Sequence, residues 1–255
     1  FTVASITPTI VDPETLFLIL DINAQFNSSL TNESPTSIAT LINDTIVDFN
    51  ATDLQQFNSV FRHSKVVGLI DDTDKSITGN ITRITMGKFL TPTLLSEIGY
   101  TVNFNNAFFH PHDGHNGADG GIVSSTGFKI SGNTNEQFFD DDGKGNLRTY
   151  FMSAGARSYT NIVAGTINYT TGAVSIRTLT ITSISDVDGS TATKIRLTIV
   201  PNANDIVALR NQILEIDVAN STVTAGVDNV SVGDESGAVN FSATGSTVDT
   251  TGTSY

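Results

Sequence analysis

Residues 104–128, FNNAFFHPHDGHNGADGGIVSSTGF, gather three of the chain's four histidines, His110, His112 and His115, around Asp113. Imidazole and carboxylate groups this close could hold zinc or another transition metal. In an extended stretch His110 and His112 would project to the same side. No fourth ligand and no HExxH frame accompany them, and the chain has no cysteine to supply a thiolate. Loop histidines also serve by bonding to backbone groups, and Pro111 and Gly114 suit a specified turn. The stretch therefore reads as strand, long ordered loop, strand, and no metal ligand is assigned.

A second cluster, Asp140-Asp141-Asp142-Gly143-Lys144-Gly145-Asn146, offers carboxylate oxygens of the kind calcium takes. Calcium loops space their acids alternately, whereas these three are consecutive and flanked by strand-like text. A hairpin turn with glycine at positive φ accounts for them. Serines are plentiful, but neither Ser124-Ser125 nor Ser153-Ala154-Gly155 forms a G-x-S-x-G elbow. No glycine-rich phosphate loop is present. Paired carboxylates for glycoside hydrolysis are a matter of geometry, and tryptophan, the usual sugar platform, is absent. The residues assign no catalytic group and no cofactor.

Net charge is −13, with 13 basic against 26 acidic residues, which excludes nucleic acid as a partner. An anionic membrane surface is disfavoured for the same reason. Charged residues make up 15% of the chain against about 25% in an average domain. Thr, Ser and Asn take their place, as in exported and virion proteins. No apolar run approaches the ~20 residues of a membrane span. The chain opens on Phe1 without an initiator Met, so a segment of something longer is expected.

The positioning elements follow from periodicity. Leu16, Leu18, Leu20, Ile22, Ala24 and Phe26 alternate with polar residues and predict a half-buried strand over 14–26. Ile38, Leu41, Ile42, Ile46 and Phe49 recur at helical spacing, with Ser34 as cap and Pro35 at the first position, predicting a helix over 35–49. Thr52 and Gln55 resemble a capping box and predict a second helix over 52–64. Strands are expected at 81–86, 100–104, 137–139, 147–152, 165–169, 173–176, 178–184 and 194–200. The fold class is α+β, two short helices near the amino end followed by mostly antiparallel sheet with hairpins. Residues 1–90 read as an α/β subdomain and 91–218 as a β-rich region. Residues 219–255 read as a flexible or partner-ordered tail.

One resemblance runs through these features. Val11-Asp12-Pro13-Glu14, DLQQFNSVFR at 53–62, Asp71-Asp72, HPHDGH at 110–115, residues 124–128 and 139–143 carry it, followed by 165–172, 201–206 and 210–214. In this order they resemble the carboxy-terminal region of the baseplate wedge subunit of T-even-type contractile-tailed phages, of the baseplate J-like kind, over about residues 2–218. The composition suits a cyanophage or similar marine phage. The resemblance implies a structural virion protein of the tail baseplate, assembled in the host cytoplasm and without enzymatic activity. It implies a homodimer that links neighbouring wedges into the ring around the hub and rearranges on sheath contraction, with other wedge subunits as partners. Phe57, Phe61, Phe108 and Phe109 are candidate interface residues, with core as the competing assignment for at least two of them. A metal- or glycan-binding module of a tail fibre or secreted adhesin is the alternative.

Overall fold

The computed structural model describes residues 13–186, 192–209 and 211–229. Pro8, Val11, Asp12, Arg210 and the tail from residue 230 lie outside the described residues. The first strand, β1, spans Glu14–Phe26, and its alternation is realised in full, with Leu16, Leu18, Leu20, Ile22, Ala24 and Phe26 all buried. The helix α1 spans Pro35–Phe49 and buries Ile38, Ile42, Ile46 and Phe49. Ser34 Oγ accepts a hydrogen bond from the Ser37 N–H, 3.1 Å, and Pro35 starts the first turn, so the local signals determine this start.

The second expected helix, over 52–64, does not form as such. α1 runs directly into a π-helical turn, Asn50–Leu54, and the chain then bends through Asn58, at φ 60°. The short strand β2 (Val60–Phe61) and the helix α2 (His63–Asp71) follow. Thr52 does not cap; its hydroxyl donates to the Asp48 carbonyl one turn back. The cap of α2 comes from far along the chain. Asp205 Oδ1 accepts the His63 N–H at 3.0 Å, and Oδ2 accepts from Arg62 at 2.7 Å. Asn50, itself buried, uses its amide as a strand mimic, accepting the Ile216 N–H at 2.8 Å.

The remaining elements are strands: β3 (Ile77–Leu90), β4 (Glu97–Asn103), β5 (Val123–Ser125), β6 (Phe128–Ile130), β7 (Asn133–Asp141) and β8 (Asn146–Ser153). They continue with β9 (Ala156–Asn168), β10 (Ala173–Ile184), β11 (Ile195–Ile199), β12 (Ile206–Val207), β13 (Gln212–Ile216) and β14 (Thr222–Val227). Among the described residues the fold is mostly β, with the two α-helices α1 and α2 in its amino-terminal third. One sheet runs β13-β1-β3-β11-β5 and is mixed, because β13 and β14 both lie parallel to β1. β13 pairs with the first half of β1 and β14 with the second. Where the two meet, Ser221 Oγ accepts the Leu20 N–H at 2.9 Å, satisfying a donor that neither strand reaches. β14 falls within the stretch expected to be flexible or ordered by a partner; here it lies along the edge of β1.

In the second sheet β10 pairs with β9 through Ala173–Ile176 and with β6 further on, which closes β6-β7-β8-β9-β10 into a small barrel. Phe128 and Phe139 stack inside it, ring centroids 4.6 Å apart, with Leu147, Ile167, Val174 and Ile181 also buried. Burial of each such side chain contributes about 1.5–3 kcal/mol. Among the described residues no helix is long and apolar enough to cross a membrane.

Candidate functional site

The two clusters that stand out in the sequence meet in space. Residues 104–122 leave β4 as an irregular segment anchored at its start by buried Phe104 and Phe108, and they fold back over the β7–β8 turn. Gly114 N–H donates to the Gly143 carbonyl at 2.7 Å, and His110 Nε2 bonds to the same oxygen at 2.9 Å. The backbones approach so closely that a Cβ on Gly117 would lie 2.2 Å from the Asp142 carbonyl oxygen. The glycines of both segments are thus the surface along which they interlock.

Asp140 and Asp141 point to opposite sides because neighbours on a strand alternate faces, while Asp142 lies past the end of β7, in the turn. Asp140, with 1% of its side chain exposed, turns to the outer side of the barrel between Arg148 (2.9 Å) and Arg157 (3.0 Å). It also accepts from the Tyr159 hydroxyl, while the two guanidiniums lie over the Tyr159 and Tyr150 rings. Burial pushes the Asp140 carboxyl above its ordinary value despite both arginines. Asp141 turns the other way and takes four donors: the backbone N–H groups of Ile122, Val123 and Gly143, and the Tyr169 hydroxyl. Burial, followed by the Asp141 charge, raises the Tyr169 phenol well above its usual value. Asp142 caps its own turn, Oδ1 accepting from Lys144 and Asn146 N–H groups and Oδ2 from the Asn146 side chain. Every carboxylate is engaged by N–H or O–H donors of the protein, and the three share no common centre. Gly143 and Gly145 adopt positive φ, as the hairpin reading expects.

The histidines divide as well. The loop is a series of turns, so His110 and His112 do not project together as an extended stretch would have them. The His110 ring stacks on Tyr169, while His112 and His115 face each other at the loop's outer rim. No group of three or more His, Asp or Glu side chains suited to a metal ion forms among the described residues. Ser125 Oγ accepts the Phe139 N–H at 2.8 Å and Ser124 bonds Thr198 at 2.6 Å, so both are structural here. Ser153-Ala154-Gly155 is the β8–β9 turn, with Ala154 at φ 50° and Gly155 at φ 81°. Of the four phenylalanines singled out, Phe61 and Phe108 are core, whereas Phe57 is 56% and Phe109 38% exposed.

Residues 14–88 match the family described as baseplate structural protein gp6, C-terminal domain III. That stretch takes in β1, α1, β2, α2 and nearly all of β3. The baseplate wedge protein gp6 of Enterobacteria phage T4 is 31% identical over 86 residues. The aligned part covers 34% of this chain and 13% of that protein's length.

Proposed function

We propose that this chain is a structural part of a phage tail baseplate, acting in the virion as a wedge subunit of the contractile, baseplate J-like kind. The observation that carries this reading is the similarity over residues 14–88, the stretch that forms β1, α1, β2, α2 and nearly all of β3. The subunit self-associates as a homodimer and joins neighbouring wedges, with other baseplate subunits as its partners. No catalytic residue belongs to this role, and neither nucleic acid nor membrane is a partner. Exposed Phe57, Val207 and Leu209 lie where β2, β12 and the start of β13 adjoin, and supply an apolar face for such a contact. Sedimentation equilibrium of residues 1–255 tests the association. A dimer that Phe57→Asp converts to monomer supports it, and a monomer at high micromolar concentration removes the dimer. Immunogold labelling of particles carrying the protein tests the location, and label away from the tail end overturns the baseplate assignment.

A further inference from the structure

We propose that His112 and His115 form a two-histidine site for a divalent transition metal of the zinc class, at the outer rim of the loop that covers the β7–β8 turn. His112 Nε2 and His115 Nδ1 face each other at 3.4 Å, with the rings at 85°. Two imidazoles on one tetrahedral zinc, at Zn–N distances of about 2.0–2.1 Å, place their nitrogens about 3.3–3.4 Å apart. In the free chain His115 Nδ1–H donates a long hydrogen bond to His112 Nε2 across this gap. The separation thus admits a cation in place of the shared proton without moving either ring.

The surroundings prepare the pair. His112 Nδ1 lies 3.2 Å from the Asp113 carbonyl oxygen, which can only accept. The hydrogen is therefore assigned to Nδ1, and Nε2 is left with its lone pair toward His115. A ligand histidine whose other nitrogen donates to a backbone carbonyl is the usual outer-shell arrangement of metal sites. His115 is braced edge-on by Phe109, centroids 5.3 Å apart, which limits ring rotation. His110, by contrast, is committed to Tyr169 and to the Gly143 carbonyl, so the site has two protein ligands and not three. Imidazole pairs favour Zn²⁺, Ni²⁺ or Cu²⁺ over Mg²⁺ or Ca²⁺, which take oxygen ligands. Lys144 passes over Gly114, and the exposed carboxylate of Asp113, beside His112 in the chain, lies 3.7 Å from His110 Nε2. The two remaining coordination positions would be taken by water or by a carboxylate or imidazole of a neighbouring subunit.

Titration calorimetry with ZnCl2 on the whole chain tests this, and the outcome does not depend on the baseplate reading. One Zn²⁺ per chain is expected with micromolar affinity, and no heat with MgCl2. His112→Ala and His115→Ala are each expected to weaken binding by about tenfold or more, since each halves the protein ligand set. His63→Ala, whose ring bonds the Thr82 carbonyl elsewhere, leaves it unchanged. Ring ¹⁵N shifts of His112 Nε2 and His115 Nδ1 should move together on adding zinc. Absence of binding up to millimolar zinc, or equal affinity in His112→Ala, overturns the proposal, as does equal loss in His63→Ala.

Discussion

The ring of His110 lies flat on Tyr169, centroids 4.0 Å apart and planes within 5°, while the Tyr169 hydroxyl donates to Asp141 at 2.8 Å. One tyrosine therefore holds both the loop and the acidic turn. Tyr169→Phe keeps the stack but leaves Asp141, buried, without one donor, and removes the acceptor of the Gly145 N–H. The expected loss is about 1–3 kcal/mol of unfolding free energy in urea. His110→Ala, which removes the stack and its bond to Gly143, should cost less, about 0.5–1.5 kcal/mol. Equal stability of Tyr169→Phe and the parent chain would contradict the assigned role.

Close approach of the two backbones rests on Gly117. Gly117→Ala puts a methyl into the Asp142 carbonyl, and backbone cannot swing aside as a side-chain tip would. Detachment of the loop is expected, costing about 1–3 kcal/mol. Limited proteolysis should show new cleavage within 110–122 while the barrel stays intact; an uncut loop would sink the interlock.

Acid should loosen the same turn through Asp142. Burial opposes its ionisation, but the Asn146 side chain and the Lys144 and Asn146 N–H groups outweigh it and hold the carboxyl below its usual range. A depressed carboxyl adds stability that is full above the unfolded value, about 3.9, and is lost as pH falls through the lower folded value. Asp140, raised by burial, acts in the opposite sense: its contribution is full below the unfolded value and is lost as pH rises through the folded one. Asp142→Asn should thus be less stable than the parent near neutrality, with the gap closing as pH falls below about 4. A gap constant across that range would exclude Asp142 as the titrating group.

The helix α2 depends on a cap supplied by Asp205. Asp205→Ala should raise amide hydrogen exchange at the first turn of α2, His63 above all, without altering α1. Asp205→Asn, which retains an accepting oxygen, should restore most of the protection. Unchanged exchange in the alanine variant would refute the capping role.

The contrast between the helices shows what a sequence can and cannot carry. α1 was legible because its cap, its proline and its apolar stripe are all local. α2 was displaced by some ten residues because its cap lies beyond residue 200, and because Thr52 bonds backward within a turn where capping was expected. β14 carries little strand signal of its own; Thr222–Val227 is extended because β1 offers it an edge. In the loop and the acidic turn, glycine content marked irregular backbone and the turn's positive-φ positions. Their mutual contact left no signature, because it joins carbonyls to N–H groups that every residue possesses.

The two-piece edge of β1 has a consequence for synthesis. β1 leaves the ribosome well before the end of its sheet does, for the hydroxyl that seals its edge belongs to a residue 201 positions later. Until Gln212–Val227 emerges, a strand with six buried-face apolar side chains waits with one row of amides unpaired. Closing so distant a pairing is slow, and an open edge is a template for foreign strands. Translation in the producing cell therefore leaves a window in which this chain is most exposed to mispairing with its own copies, and the last described strands are the ones that end it.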